Sequence, residues 1–315
     1  MTVSLSIVLG KHGQVADIRS GAVPVDGFDL KFHDFDRMPD AYRLMARSTP
    51  FDVCELAPTT YLMAREAGAR ITALPLPMTR AFRHRGLQRL RSSGLREPKQ
   101  LEGQRVGLRA YSVTAPVWTR GILAEEYGVD LSRVQWLKED EEHVNSWQPP
   151  VNVQSAPQGR TLAQMMRSGD LQVAFTGLAG IGSGDDLDLV EFFDDADRLE
   201  ADWFRRTGIY PLHGVIVVRD AVLQDHPHLA AHLVGAFTRA RDNYWTRVTS
   251  GAAKDKEDLR YAKLAPLVGH PLPYGLEANR RSFEALIRYA IAQGLIRRPL
   301  RVEDAFHEPA ARSIA

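Results

Sequence analysis

Three short segments set a histidine beside an apolar run: Gly10-Lys11-His12-Gly13, Phe82-Arg83-His84-Arg85 and Leu212-His213-Gly214. Imidazole has an ordinary pKa of ~6.5, so such residues can give or take a proton near neutrality. His12 follows SLSIVL, His84 follows ITALPLP, and His213 precedes VIVV. Glu55 closes the apolar run Val53-Cys54, and a half-buried carboxylate at a strand end often has a raised pKa and acts as a base. Tyr111-Ser112-Val113-Thr114 and Thr59-Thr60 each open a helical pattern, where free N–H groups and the helix dipole favour an anion. Arg83 and Arg206 carry guanidinium forks suited to carboxylates, and Lys11 adds another cation. Thr176 and Gly177, after LQVAF, are weaker members of the same set. These residue types serve proton transfer beside a bound anion. Each also has a plainer reading: hinge histidines with backbone partners, helix caps, ion pairs and surface arginines.

The elements that must hold these residues alternate along the chain. SLSIVL, FDLKF, FDVCELA and ITALPLP read as strands, with a helix over PDAYRLMARS and another opening at Pro58, where proline suits a first turn. After Pro98, GQRVGL, VQWLKE and LQVAF are strand-like. Thr114 is expected to cap a helix that ends at Gly128, and TLAQMMRS forms another, closed by Gly169. VIVV reads as a strand returning to the first unit, and the remainder is mainly helical. This rhythm argues α/β architecture with mostly parallel sheets. The expected lobes are residues 1–98 plus 211–315, and residues 99–210. Ligands of such sheets bind beyond the strands' carboxyl ends, so a site in a cleft between the lobes is expected.

Composition narrows the function. The 315 residues are 44% hydrophobic and 25% charged, with 40 basic against 39 acidic side chains. That near balance, without a basic tract, argues against a nucleic-acid partner. The lone Cys54 allows no intrachain disulfide and no cysteine-based metal site. His228 and His232 lie one helical turn apart, but no third ligand is near, so no metal is expected. GIGSG (180–184) lacks the strand-turn-helix setting of a dinucleotide site. The acidic run Asp185 to Asp188 reads as a solvated loop. No stretch approaches the ~20 apolar residues of a membrane helix. The run Val3 to Leu9 is short, alternating and not preceded by a basic residue. It reads as a strand rather than an export signal, and a cytoplasmic location is expected.

Six segments taken together resemble the 4,5-dihydroxyphthalate decarboxylase family: FDVCELAPTTYL (51–62), AFRH (81–84), GLREPKQLEGQRVGLRAYSVTAPVWTRGILAEEYGV (94–129), GRTLAQMMRSGDL (159–171), RRTGIYPLHGVIVVRD (205–220) and PYGLEANRRSFEALIRYAIAQGL (273–295). That family is itself similar to the substrate-binding proteins of ABC transporters. The resemblance implies a type II periplasmic-binding-protein-like fold, two α/β lobes with a ligand cleft between them. It implies loss of one ring carboxylate from a 4,5-dihydroxyphthalate-like molecule, giving a 3,4-dihydroxybenzoate-like product without a cofactor, and a homo-oligomer. On those terms His84, Glu55 and His213 are the expected catalytic groups, with His84 first as proton donor. Lys11, His12, Thr59, Thr60, Arg83, Tyr111, Ser112, Val113, Thr114, Thr176, Gly177 and Arg206 are the expected substrate contacts. The loops GKHGQ (10–14) and GLAGIGSGDD (177–186) depart from the family's pattern, and Lys11 and His12 are expected to set specificity. The alternative is a solute-binding protein for an aromatic or other carboxylate, serving a transporter or sensor.

Overall fold

Short segments of three to seven residues become strands in the computed structural model, which describes residues 2–182 and 186–307. In chain order they are β1 (Val3–Val8), β2 (Phe28–Phe32), β3 (Val53–Leu56), β4 (Ile71–Pro77), β5 (Leu87–Leu90), β6 (Arg105–Leu108), β7 (Gln135–Lys138), β8 (Val153–Ser155), β9 (Val173–Phe175), β10 (Leu189–Glu191) and β11 (Val215–Arg219). The helices are α1 (Ala16–Arg19), α2 (Met38–Ser48), α3 (Pro58–Glu66), α4 (Thr114–Tyr127), α5 (Leu162–Arg167), α6 (Ala196–Thr207), α7 (Asp220–Asp225), α8 (Leu229–Thr249), α9 (Lys256–Val268) and α10 (Arg280–Ala292). Among the described residues no helix is long and apolar enough to cross a membrane.

The chain divides into two compact units. The first comprises Met1–Ala81, Leu212–Ile287 and Arg298–Ala315; the second comprises Phe82–Pro211 and Arg288–Arg297. The first division thus falls at 81/82, ahead of the expected 98/99. The cause is β5, which pairs with β9 and β10 and so belongs to the second unit's sheet. The periodicity of LQRL is too short to announce that strand.

The first unit's sheet has the order β2-β1-β3-β11-β4. β1 pairs parallel with β2 and β3, whereas β11 runs antiparallel to β3 and β4. All four residues of β3 are buried, as expected for a strand covered on both faces. One core joins Leu5 and Ile7 of β1, Leu74 and Leu76 of β4 and Ile216 and Val218 of β11 to Leu233 and Phe237 of α8. Each such side chain, fully buried, contributes ~1.5–3 kcal/mol. Registers then place the site. Ile7 lies opposite Val53 and Val8 opposite Cys54, so the segment leaving β1 passes alongside Glu55. On the other flank Ile216 lies opposite Glu55, bringing the approach to β11 against it.

The second unit's sheet has the order β10-β5-β9-β6-β7-β8, parallel except at β5, which runs antiparallel to both neighbours. α5 opens on a capping box between Thr161 and Gln164. α4 ends at Gly128, whose φ of 63° is the left-handed closure that glycine adopts without strain. Its start differs from expectation: Val113 is the extended N-cap residue and Thr114 already lies inside the helix.

Candidate active site

Glu55 stands third in β3 and is 2% exposed. Such a carboxylate must be hydrogen-bonded or lose its charge. The loop leaving β1 supplies the partners. The Gly10 N–H donates to Oε2 at 2.8 Å. His12 Nε2 lies 3.0 Å from both Oε1 and Oε2. The Tyr42 hydroxyl, from α2, donates a further hydrogen bond. Burial pushes Glu55 up, but His12, the Gly10 N–H and Tyr42 outweigh it and hold the carboxyl below its ordinary 4.5. Burial likewise works against a charged His12, yet the charge and hydrogen bond of Glu55, helped by Glu257, raise it above its ordinary 6.5. The two residues form a buried ion pair. The His12 side chain keeps 22% of its surface exposed, so one edge of the ring is reachable from outside.

Two glycines shape this pair by their lack of a side chain. A Cβ on Gly10 would lie 2.3 Å from His12 Nε2 and 3.0 Å from Glu55 Oε2. A Cβ on Gly214, just before β11, would lie 2.9 Å from Glu55 Oε1 and 3.0 Å from Met78 Cβ. Behind them Gln14 donates from Nε2 to the Tyr274 hydroxyl at 3.2 Å. Cys54 is buried next to Glu55, and burial followed by the Glu55 charge pushes its thiol well up, leaving it protonated.

Of the other residues expected in this unit, Lys11 is exposed beside His12, and Thr59 and Thr60 are fully buried in the first turn of α3. His213 is half-buried, and its N–H donates to the Thr79 carbonyl at 2.7 Å. The sequence reading placed Glu55 at the site but gave no role to Gly10, Tyr42 or Gly214. Gly10 lies in the GKHGQ loop and Gly214 beside His213, whereas Tyr42 sits in α2 with no local mark.

The second unit holds the rest. His84 is 1% exposed, its ring 5.4 Å from that of Phe193 and 6.0 Å from that of Trp203, centroid to centroid. Burial lowers its pKa to about 4, with Glu126 opposing and Arg206 adding to the drop. A ring so enclosed has no ready proton to give at neutral pH. Nearby Glu200, 8% exposed, is pushed up to about 7 by burial, only partly offset by the Arg85 charge and the Arg85 and His84 N–H groups. Arg83 is half-buried, and its carbonyl accepts from the Thr119 hydroxyl at 2.9 Å. The Thr176 N–H donates to Gly86 at 2.9 Å, and Gly177 is exposed with φ 63°. Arg206 is an exposed surface residue paired with Glu126 at 2.6 Å. Within the glycine-rich loop, Ser183, Gly184 and Asp185 lie outside the described residues.

At the start of α4 the donors expected to hold a substrate carboxylate already hold one, from Glu142. The Tyr111 N–H donates to its Oε1 at 2.8 Å, and the Ser112 N–H and hydroxyl donate to its Oε2 at 2.9 and 2.6 Å. Arg120, within α4, is fully buried, its guanidinium 3.7 Å from the centre of the Tyr111 ring. Among the described residues no group of three or more histidine, cysteine or acidic side chains could hold a metal ion.

This architecture is that of the type II periplasmic solute-binding proteins. The aliphatic sulphonate-binding protein SsuA of Escherichia coli superposes with a TM-score of 0.59 over 99% of this chain and 100% of its own, at 10% identity. The desulfurization enzyme DSZB superposes with a TM-score of 0.56 over 99% and 98%, at 14% identity. No family model matches the chain. Among curated proteins, a 4,5-dihydroxyphthalate decarboxylase of Comamonas testosteroni is 30% identical over 333 residues, covering 99% of this chain and 98% of that protein. A second, of Pseudomonas putida, is 31% identical over 177 residues, 54% of this chain and 68% of that protein. The chain belongs to the 4,5-dihydroxyphthalate decarboxylase family.

Proposed function

We propose that this protein decarboxylates a hydroxylated aromatic dicarboxylate of the 4,5-dihydroxyphthalate type, with His12 as proton donor and Glu55 as its buried partner. The observation that carries the reading is the ion pair between a part-exposed imidazole and a buried carboxylate, at the carboxyl ends of β1 and β3. Loss of a ring carboxylate needs a proton at the carbon that bears it. The ring then breaks its bond to the carboxylate, carbon dioxide leaves with the negative charge neutralised, and the electron pair restores the aromatic ring. A hydroxyl on the ring supplies electron density for the protonation. Glu55 engages Nε2, so Nδ1 is the nitrogen that delivers the proton, while the carboxylate stabilises the imidazolium before transfer. Lys11 is exposed one residue away and offers charge for the carboxylate that stays. We assign the transfer to His12 rather than His84, because His84 is enclosed and stays neutral down to about 4. His213, half-buried beside Gly214, serves as a further contact in this reading, whereas the fully buried Thr59 and Thr60 do not reach a ligand.

The solute-binding fold favours a second reading, a receptor for an aromatic carboxylate. One experiment separates the two. The protein is incubated with 4,5-dihydroxyphthalate and close analogues while carbon dioxide and the ultraviolet spectrum are followed. Turnover that falls ~10²–10⁴-fold in His12→Ala supports the enzyme. Tight binding without turnover across the panel supports the receptor, and an unchanged rate in His12→Ala removes that residue from the mechanism.

A further inference from the structure

The loop that carries His12 is anchored at both ends. Upstream, the Gly10 N–H is tied to Glu55 at 2.8 Å; downstream, Asp17 of α1 accepts from Asn243 and Arg247 of α8 at 2.9 and 3.1 Å. Between those anchors the chain makes a single turn, Gly13–Val15, closed by the Val15 N–H on the His12 carbonyl at 3.1 Å. That turn rests on two buried tyrosines. A Cβ on Gly13 would lie 2.2 Å from Tyr244 Cε2 and 2.8 Å from its Cδ2 and Cζ, so the backbone next to His12 lies directly against the ring, as only glycine allows. The following residue, Gln14, donates to the Tyr274 hydroxyl at 3.2 Å. Tyr244 is itself fixed. It is 3% exposed, and its hydroxyl donates to the buried Asp258, which also accepts from the Asp255 N–H at 2.8 Å in the capping box that opens α9. The neighbouring Glu257 joins Glu55 in raising His12 against the cost of burial.

We infer that Tyr244 is a positioning residue for His12: its ring is the floor on which Gly13 stands, and Asp258 locks that floor so that the imidazole stays against Glu55. His12 Nε2 meets both carboxylate oxygens at 3.0 Å, a geometry that a small slide of the loop would undo. A misplacement of ~1 Å in a reacting group can cost ~10²-fold in rate. The positioning stands on these contacts by themselves, and its catalytic consequence rests on His12 as the proton donor proposed above.

The test is histidine NMR titration of the full chain, with turnover of 4,5-dihydroxyphthalate measured alongside. In Tyr244→Ala the His12 midpoint is expected to fall toward the ordinary ~6.5, with kcat down ~10²-fold and KM little changed. Tyr244→Phe keeps the ring under Gly13 and should retain most of the wild-type midpoint and rate. Val248→Ala opens the same buried cluster one turn further along α8 without touching Gly13, and should leave both where they are. If Tyr244→Ala is poorly folded, Tyr244→Leu removes the flat ring while filling more of the space, and the same shift is expected. The inference is overturned if a folded Ala or Leu variant keeps the wild-type His12 midpoint. An equal shift in Val248→Ala, showing a general loosening, overturns it too, as does a Phe variant that shifts as far as Ala. A shifted midpoint in a protein whose wild type turns over no substrate would keep the positioning role and sink the decarboxylase reading alone.

Discussion

Replacing Glu55 by glutamine keeps the shape of the site and removes its charge. In the wild type the carboxylate accepts from the Gly10 N–H, from His12 Nε2 and from the Tyr42 hydroxyl. The amide retains one acceptor oxygen and turns an NH2 group toward one of those donors. The loss is about one charge-assisted hydrogen bond in a buried setting, ~1.5–3 kcal/mol. A domain is stabilised by ~5–15 kcal/mol, so the variant should still fold and can be assayed. His12 then loses the charge that raises it, and its pKa should fall. The pair's contribution to stability is present above about 4.5, the ordinary carboxyl value, and is lost as pH falls through Glu55's depressed value. It is present in full below about 6.5 and is lost as pH rises through His12's raised value. Activity that needs protonated His12 should share that alkaline limb. In Glu55→Gln the limb should move to lower pH, with the neutral-pH rate down ~10²-fold or more. Histidine NMR titration and a pH–rate profile read the two effects independently. If the His12 titration and the alkaline limb both stay where they are in the wild type, the proposed coupling is wrong.

Gly10→Ala brings a methyl group to 2.3 Å from His12 Nε2 and must swing the ring off Glu55. We expect turnover to approach that of His12→Ala at a stability cost of only ~1–3 kcal/mol; near-normal turnover would show that the pair is not needed. Glu200→Gln removes a buried carboxyl whose pKa is about 7 rather than 4.5. The folded wild type holds that proton more tightly than the unfolded chain, so its stability falls as pH rises from about 4.5 to 7. The variant lacks this fall and should be more stable at pH ~8 by on the order of 3 kcal/mol in urea titrations. Equal pH slopes in the two proteins would refute the assignment.

Local sequence was enough for most elements, because their causes are local. The alternation of β1, Pro58 at the head of α3, the box around Thr161 and the glycine ending α4 all act within a few residues. β5 and β10 escaped notice because each short strand is stabilised by partners far along the chain. The site divides in the same way. Glu55 could be singled out by its place in β3, and His12 by its place after β1. Their pairing could not be read, since 43 residues separate them and only the parallel register of β1 and β3 brings them together. His84 carries the right chemistry in sequence, but the rings packed around it, from Phe193 and Trp203, decide its protonation. The donors at Ser112 were visible as a helix start, whereas the Glu142 that fills them lies 30 residues away. Residue type and spacing fix what a group can do; which neighbour desolvates it, charges it or occupies its hydrogen bonds is decided by packing between distant segments.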